Sequence, residues 1–171
     1  LAFVFSYIDG GPWNDDGIKA VHKFLDRVER LVDKVIACES AGSAVGEAEK
    51  EIEYALNYAI DKIDHDLDNF QFNTGVARLM ELVNAMYKYA DGSFNKDFIL
   101  DVTKTLVLLL APFAPHTAEE LWERLGMPYS IFNQSFPANF GFGEYPAQTG
   151  ASPLNHLCYT YHSLPMDSVY H

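Results

Sequence analysis

The chain has 171 residues, with 12 Lys+Arg against 24 Asp+Glu and a formal net charge of −12. Apolar residues make up 49% and charged residues 21%, a globular composition that excludes an intrinsically disordered chain and suits one domain or a domain with an appendage. The acidic balance excludes non-specific wrapping of nucleic acid, which needs Lys and Arg against phosphate, and leaves room for a local basic patch.

Residues 1–14 are short, aromatic and extended in character, ending in Gly10-Gly11-Pro12-Trp13-Asn14. The opening Leu1-Ala2-Phe3-Val4-Phe5 has no initiator Met and no basic region, so it reads as a cut inside a larger protein and not as a signal peptide. Trp13 would either staple the first helix near Val21 or touch a neighbouring domain.

The spacing predicts a first helix over 16–38, capped by Asn14 or Asp15. Ile18, Val21, Phe24, Leu25, Val28, Leu31, Val32 and Val35 form an apolar arc of about 140°. Lys19, Lys23, Arg27, Arg30 and Lys34 fall in one stripe of about 80° away from that arc. Such a stripe has an ordinary reading as a solvated face, with Asp15–Lys19 and Asp26–Arg30 as i,i+4 pairs. It also gathers five of the twelve basic residues on one line of an acidic chain.

A loop over 40–46 leads to a second helix over 47–69, with Ile52, Ala55, Leu56, Ala59, Ile60, Ile63 and Leu67 on its apolar side. From Glu39 to Asp68 nine acids stand against Lys50 and Lys62, so this segment holds −7 of the −12. A third helix is predicted from 73 to 89 or 90, with Asn73 or Thr74 as cap and Asp91-Gly92 as stop. A fourth covers 96–110, and Pro112 and Pro115 make the stretch after it a sharp connection. A fifth spans 117–125, starting at a cap of His116-Thr117 and ending at Gly126, with Glu119 and Glu120 in its first turn. Phe94, Phe98, Phe113 and Trp122 fall where helices should meet and are expected to pack in the core. Five amphipathic helices with short links predict an all-α fold, an antiparallel helix bundle with irregular N-terminal and C-terminal segments.

Residues 127–171 differ in kind, with no Lys or Arg, two acids, five of the eight prolines, five of the ten tyrosines and no period. Low order is expected beyond about residue 137.

No set of residues composes an active site. Asp61 with His65, Asp64 with Asp68, and His116 with Glu119 and Glu120 have helical metal-ligand spacing, but the Glu-x-x-His order is reversed and occurs once, so no metal is expected. There is no GK[ST] phosphate loop and no G-x-S-x-G elbow. Cys38 and Cys158, 120 positions apart, form neither a disulfide framework nor a Cys-x-x-Cys site, which points to a reducing compartment. No apolar run approaches the ~18 residues of a membrane span.

Three stretches carry a resemblance. They are Pro12-Trp13 with Gly17-Ile18 and the run from His22 to Val32; the run Phe70-Gln71-Phe72-Asn73-Thr74-Gly75-Val76-Ala77-Arg78-Leu79-Met80-Glu81-Leu82-Val83-Asn84; and the run from Leu109 through Ala111-Pro112-Phe113-Ala114-Pro115-His116 and Glu119-Glu120-Leu121-Trp122 to Gly126, then Ser130-Ile131. Together they resemble the anticodon-binding helical domain of the leucyl-tRNA synthetases, class Ia aminoacyl-tRNA synthetases, over about residues 5–137. The third stretch alone also resembles the valyl and isoleucyl relatives, and the first two favour leucyl. The resemblance implies a helical bundle over 15–137, with 1–14 a remnant of the preceding catalytic or connecting region and 138–171 a tail outside the family pattern. It implies a cytoplasmic parent enzyme that activates leucine with ATP and Mg and transfers it to tRNA. The HIGH-like and KMSKS-like signatures of that chemistry are absent from this sequence, so they belong upstream, and this piece is expected to be non-catalytic and to need no cofactor of its own. Its implied partners are tRNA and the parent's catalytic domain, with no membrane.

Because the family is not expected to depend on reading the anticodon, the implied contacts are to the RNA backbone. Lys23, Arg27 and Arg30 lead the candidates, followed by Lys19, Lys34 and, on the third helix, Arg78. The second helix departs from the family's basic pattern and keeps only Lys62 in its 57–67 stretch, which weakens any RNA contact from it. A helical protein-interaction module working through that acidic face, or a truncated fragment without function, are the competing readings.

Overall fold

The computed structural model describes residues 15–38, 46–91 and 95–138. The expectations for 1–14, Trp13, Asn14, Phe94, most of the 40–46 loop, Cys158 and the tail from 139 lie outside the described residues.

Among the described residues five helices follow one another: α1 (Asp15–Ala37), α2 (Glu47–Asp68), α3 (Phe72–Ala90), α4 (Lys96–Leu110) and α5 (Pro115–Arg124), then a 3₁₀ turn at Ile131–Asn133. Each boundary falls within two residues of the spacing-based one. α4 is the most apolar, with Phe98, Ile99, Val102, Leu106, Val107, Leu109 and Leu110 buried, because it is the helix with neighbours on most sides.

Consecutive helices run antiparallel, and the pairing shows a finer rule. α2 packs on α3 most extensively, and α3 and α4 pack on each other; α1 lies against α3, α4 and α5. Contacts between α1 and α3 climb together, Arg27 with Asn84 and Lys34 with Asp91, so these neighbours are parallel. α1 and α2 therefore stand diagonally, on opposite sides of the α3–α4 pair.

The core runs through all five helices, from Val28, Leu31 and Val35 on α1 to Leu121 and Trp122 on α5. Trp122 is 3% exposed and its indole N–H donates to the Pro128 carbonyl at 3.1 Å, so the loop after α5 satisfies the one polar atom the ring carries inward. Phe98 is buried and Phe113 half-buried, as expected for helix contacts. Gly75 is where α3 meets the α4–α5 connection: a Cβ there would lie 2.7 Å from the Phe113 ring. At the other edge of the arc Ile18 is 48% exposed, so the apolar side of α1 is covered only from Val21 onward.

Two helices end in the same way with different residues. After α5, Gly126 has φ 72°, its N–H bonds the Glu123 carbonyl, and Met127 N–H bonds that of Trp122. After α2, Phe70 takes φ 56°, its N–H bonds Leu67, and Gln71 N–H bonds Asp66. Both are Schellman turns, the second built on a residue that finds the left-handed region unfavourable by ~1–2 kcal/mol. The T-shaped chain of rings Phe70–Phe72–Phe113, at 6.1 and 6.4 Å, packs that turn against the α4–α5 connection.

This turn corrects the expected start of the third helix. α3 begins at Phe72, its N-cap position is Gln71, and Asn73 lies inside the first turn; Thr74 does not cap but donates back to the Gln71 carbonyl at 2.7 Å. α5 is corrected likewise. Pro115 opens it, since a missing N–H costs nothing there, so His116 and Thr117 are already helical. Glu119 and Glu120 then fall in the second turn. Glu119 instead accepts from Ser130 Oγ at 2.5 Å and from Ile131 N, fixing the 3₁₀ turn.

Candidate nucleic-acid interface

The basic stripe of α1 is divided by its partners. Its outward centre carries Lys19, Lys23 and Arg30, all exposed. Lys19 pairs with Asp16 at 3.1 Å, one turn back. Lys23 and Arg30 make no hydrogen bond or ion pair among the described residues. The expected pairing of Asp26 with Arg30 does not form, because Asp26 accepts from His22 at 3.0 Å instead.

The side of the stripe nearer α3 is anchored. Arg27 donates to Asn84 Oδ1 at 2.6 Å and lies over the Tyr87 ring at 4.7 Å, while the Tyr87 hydroxyl donates to the Arg27 carbonyl at 2.8 Å. Lys34 pairs with Asp91 at 2.7 Å. These contacts fix the rotation of α1, and so the direction in which Lys23 and Arg30 project. Sequence reasoning missed Asn84, Tyr87 and Asp91, which lie 57 and 60 positions away and share no local pattern with α1.

The opposite flank of α1 is acidic and is held by α5. Arg124 reaches Asp33 at 3.5 Å and Glu29 at 3.9 Å, besides Glu120 on its own helix. The hydrogen bond to Glu120 raises the Arg124 pKa above its ordinary value, and the acids of α1 add to this. The basic ridge is thus bounded by α3 on one side and by acids that share Arg124 on the other.

Arg78, the sixth candidate, lies elsewhere. On the α2 side of α3 it donates to both oxygens of Glu81 at 3.0 and 2.9 Å, with its guanidinium 5.5 Å from the Tyr58 ring. Glu81 is also the main reason its pKa is raised. It does not join the α1 ridge.

At the end of the bundle where α1 stops, Lys96 Nζ donates to the Cys38 carbonyl at 2.5 Å, a cation at the negative end of a helix. Beside it Glu49, 6% exposed, accepts from Tyr89 and from Gly46 N–H at 2.8 Å, and the Tyr89 hydroxyl accepts from Asn95 N–H at 3.1 Å. One carboxylate and one phenol therefore tie together the ends of α2, α3 and α4. The hydrogen bond from Tyr89 holds the Glu49 carboxyl below its ordinary range, and burial pushes Tyr89 up to about 12.

Among the described residues no group of three or more His, Cys, Asp or Glu side chains could hold a metal, and no helix is long and apolar enough to cross a membrane. Of the residues with helical metal-ligand spacing, Glu119 accepts from Ser130 Oγ and Ile131 N–H.

Comparison with known proteins agrees with this architecture. The chain is 50% identical over 143 residues to the leucine–tRNA ligase of Caldanaerobacter subterraneus subsp. tengcongensis and 47% identical over 146 residues to that of Clostridium kluyveri. Each match takes in 80% of this chain, and the chain spans 18% of the length of either relative. Among solved structures it matches the LeuRS of Agrobacterium radiobacter K84 agnB2, in a ternary complex with tRNA and LeuAMS, with TM-score 0.69 and 29% identity over 81% of this chain and 18% of that one. The family model of the anticodon-binding domain of tRNA ligase matches residues 49–150, from the first turn of α2 onward. With more than half of its length inside that model, this chain belongs to the anticodon-binding domain family of tRNA ligases.

Proposed function

We propose that the chain is the tRNA-docking bundle of a leucine–tRNA ligase, working through residues 15–137, and that α1 meets the phosphate backbone of the tRNA. The observation that carries this is the ridge itself: Lys23 and Arg30 are exposed and unpartnered among the described residues, while Arg27 and Lys34 are held by α3. Lysine and arginine on a rigid helix face suit sequence-independent phosphate contacts, which position an RNA without reading it. Lys23 and Arg30 make the direct contacts, with Lys19 beside them. Arg27 and Lys34 aim the ridge and contribute charge at its edge. Arg78 has a smaller part, because Glu81 neutralises it.

The parent reaction on this reading is ATP-dependent leucylation of tRNA in the cytoplasm. ATP with its Mg supplies the activation of leucine in the catalytic part of the parent; the bundle performs no bond-making step and supplies orientation. The likeness to leucine–tRNA ligases over 80% of the chain favours leucine over valine or isoleucine as the parent's amino acid. The test is tRNA binding by the whole ligase carrying Lys23→Ala and Arg30→Ala, measured against salt. Each lost phosphate contact should weaken binding and lower the slope of log affinity against log salt by ~1. An unchanged slope and affinity would remove the ridge from the interface.

A further inference from the structure

On the far side of the bundle from the ridge, α2 carries an array that tRNA docking does not use. Tyr54 and Tyr58, one turn apart, stack with ring centroids 6.4 Å apart and planes 15° from parallel. Tyr54 is 71% exposed and Tyr58 38%. Two cations already lie over Tyr58, Lys62 at 5.7 Å and Arg78 at 5.5 Å. Tyr54 has a ring of the same kind, more open, and no cation over it among the described residues.

The surroundings decide what such a ring would take. Outside the core α2 carries six acids against two lysines; Lys50 is paired with Glu47, and Glu51 lies 3.9 Å from Lys88. Asp61, one turn beyond Tyr58, and Asp68 are exposed and make no ion pair among the described residues. An aromatic face is itself negative at its centre, so rings and carboxylates attract the same charge here. A nucleic-acid strand would bring phosphates into a negative field, whereas a guanidinium or ammonium group is drawn by both components.

We propose that the Tyr54–Tyr58 face of α2 docks a Lys/Arg-bearing segment of another protein, with one cation over Tyr54 as Lys62 and Arg78 lie over Tyr58, and with Asp61 pairing a second. Because α1 and α2 stand on opposite sides of the α3–α4 pair, this face and the basic ridge are available at the same time. The proposal does not depend on the tRNA reading.

The test uses the full chain and a fluorescently labelled peptide of alternating Arg and Gly, followed by anisotropy at low salt, with a labelled oligouridine RNA as the comparison. The peptide should bind. Tyr54→Phe, which keeps the ring and its quadrupole, should hold affinity within about two-fold. Tyr54→Leu, which keeps apolar area and loses the quadrupole, should weaken it about three-fold, and Asp61→Asn should weaken it by a similar factor. In the unsubstituted chain the arginine side-chain methylene protons of the bound peptide should shift upfield in the NMR spectrum under the ring current. Peptide binding indifferent to Tyr54→Leu would mean bulk charge attraction and overturn the site. Absence of peptide binding, or absence of the ring-current shift, would overturn it too. Oligouridine binding that is lost with Leu and kept with Phe would replace it by a base-stacking platform.

Discussion

α1 and α2 are helices of 23 and 22 residues, each with one buried face and one charged face, standing diagonally across the same core. They use charge in opposite ways. On α1 two cations, Arg27 and Lys34, are anchored by α3 and serve to aim two others that stay open to solvent. On α2 an acid, Glu49, is sunk into the end of the bundle and Asp66 is buried too, while the remaining acids lie outside the core, several of them around two tyrosines. The difference teaches that net charge says little about a helix's work. The partner of each charge, and whether it has one, says more.

The largest effect should come from the anchored acid. Glu49→Ala leaves the Tyr89 hydroxyl and the Gly46 N–H without their acceptor at a junction of three helices, and should cost about 2–4 kcal/mol in urea denaturation. Replacing an exposed acid such as Asp61 should change stability by no more than about 0.5 kcal/mol. Equal costs would erase the contrast between the two kinds of acid on α2.

The Glu49–Tyr89 pair sets two pH limits, the acid one through the hydrogen bond to Glu49 and the alkaline one mainly through the burial of Tyr89. Glu49 has its folded pKa lowered from 4.5, so its contribution is present above that value and is lost as pH falls below it through the folded pKa. Tyr89 has its folded pKa raised from 10.0 to about 12, so its contribution is complete below pH 10 and fades between 10 and about 12. Tyr89→Phe should cost about 1–2 kcal/mol at neutral pH, as Glu49 and Asn95 N–H lose their partner, and should flatten the alkaline limb. Persistence of that limb in thermal melts of the variant would assign it to other groups.

Next in size is the strut of α1. Arg27→Ala removes the bond to Asn84 and the stacking on Tyr87 together, and should cost about 1 kcal/mol by chemical denaturation. It should also weaken tRNA binding by the whole ligase, through the loss of charge and the loosened rotation of α1. Asn84→Ala separates the two, since it loosens the strut and keeps the charge. A loss of affinity with an unchanged salt slope in that variant is the expected signature of positioning.

Much of this was legible in the sequence. Periods of 3.6 placed all five helices, and the breakers Pro112, Pro115 and Gly126 placed the sharp turns, because those signals are local. The family resemblance rested on runs such as Leu109–Gly126 that are mostly architecture, and the match over residues 49–150 bears it out. The first turns of α3 and α5 were not legible. Phe70 in a left-handed conformation starts α3 earlier than Asn73 would, held there by rings from another connection. Pro115 served as a starter for α5 where His116-Thr117 had looked like one. Nor could spacing within α1 separate Arg27 and Lys34 from Lys23 and Arg30, since all four share one stripe. Residues of α3 make the division, and only the folded chain brings them there.

The smallest stability effect is the most informative for function. Lys23 and Arg30 have no partner among the described residues, so their replacement by Ala should leave the unfolding free energy within about 0.5 kcal/mol. Their effect should appear only in tRNA binding, as a fall in affinity that shrinks as salt rises, because screening already weakens the contacts they make. Arg27→Ala, in contrast, should lower stability at every salt concentration, since it removes a direct hydrogen bond to Asn84 and a contact with the Tyr87 ring, short-range interactions that salt screens little. If their replacement also lowered stability, Lys23 and Arg30 would be struts that the bundle needs, and α1 would have only Lys19 left at the centre of the ridge to offer an RNA.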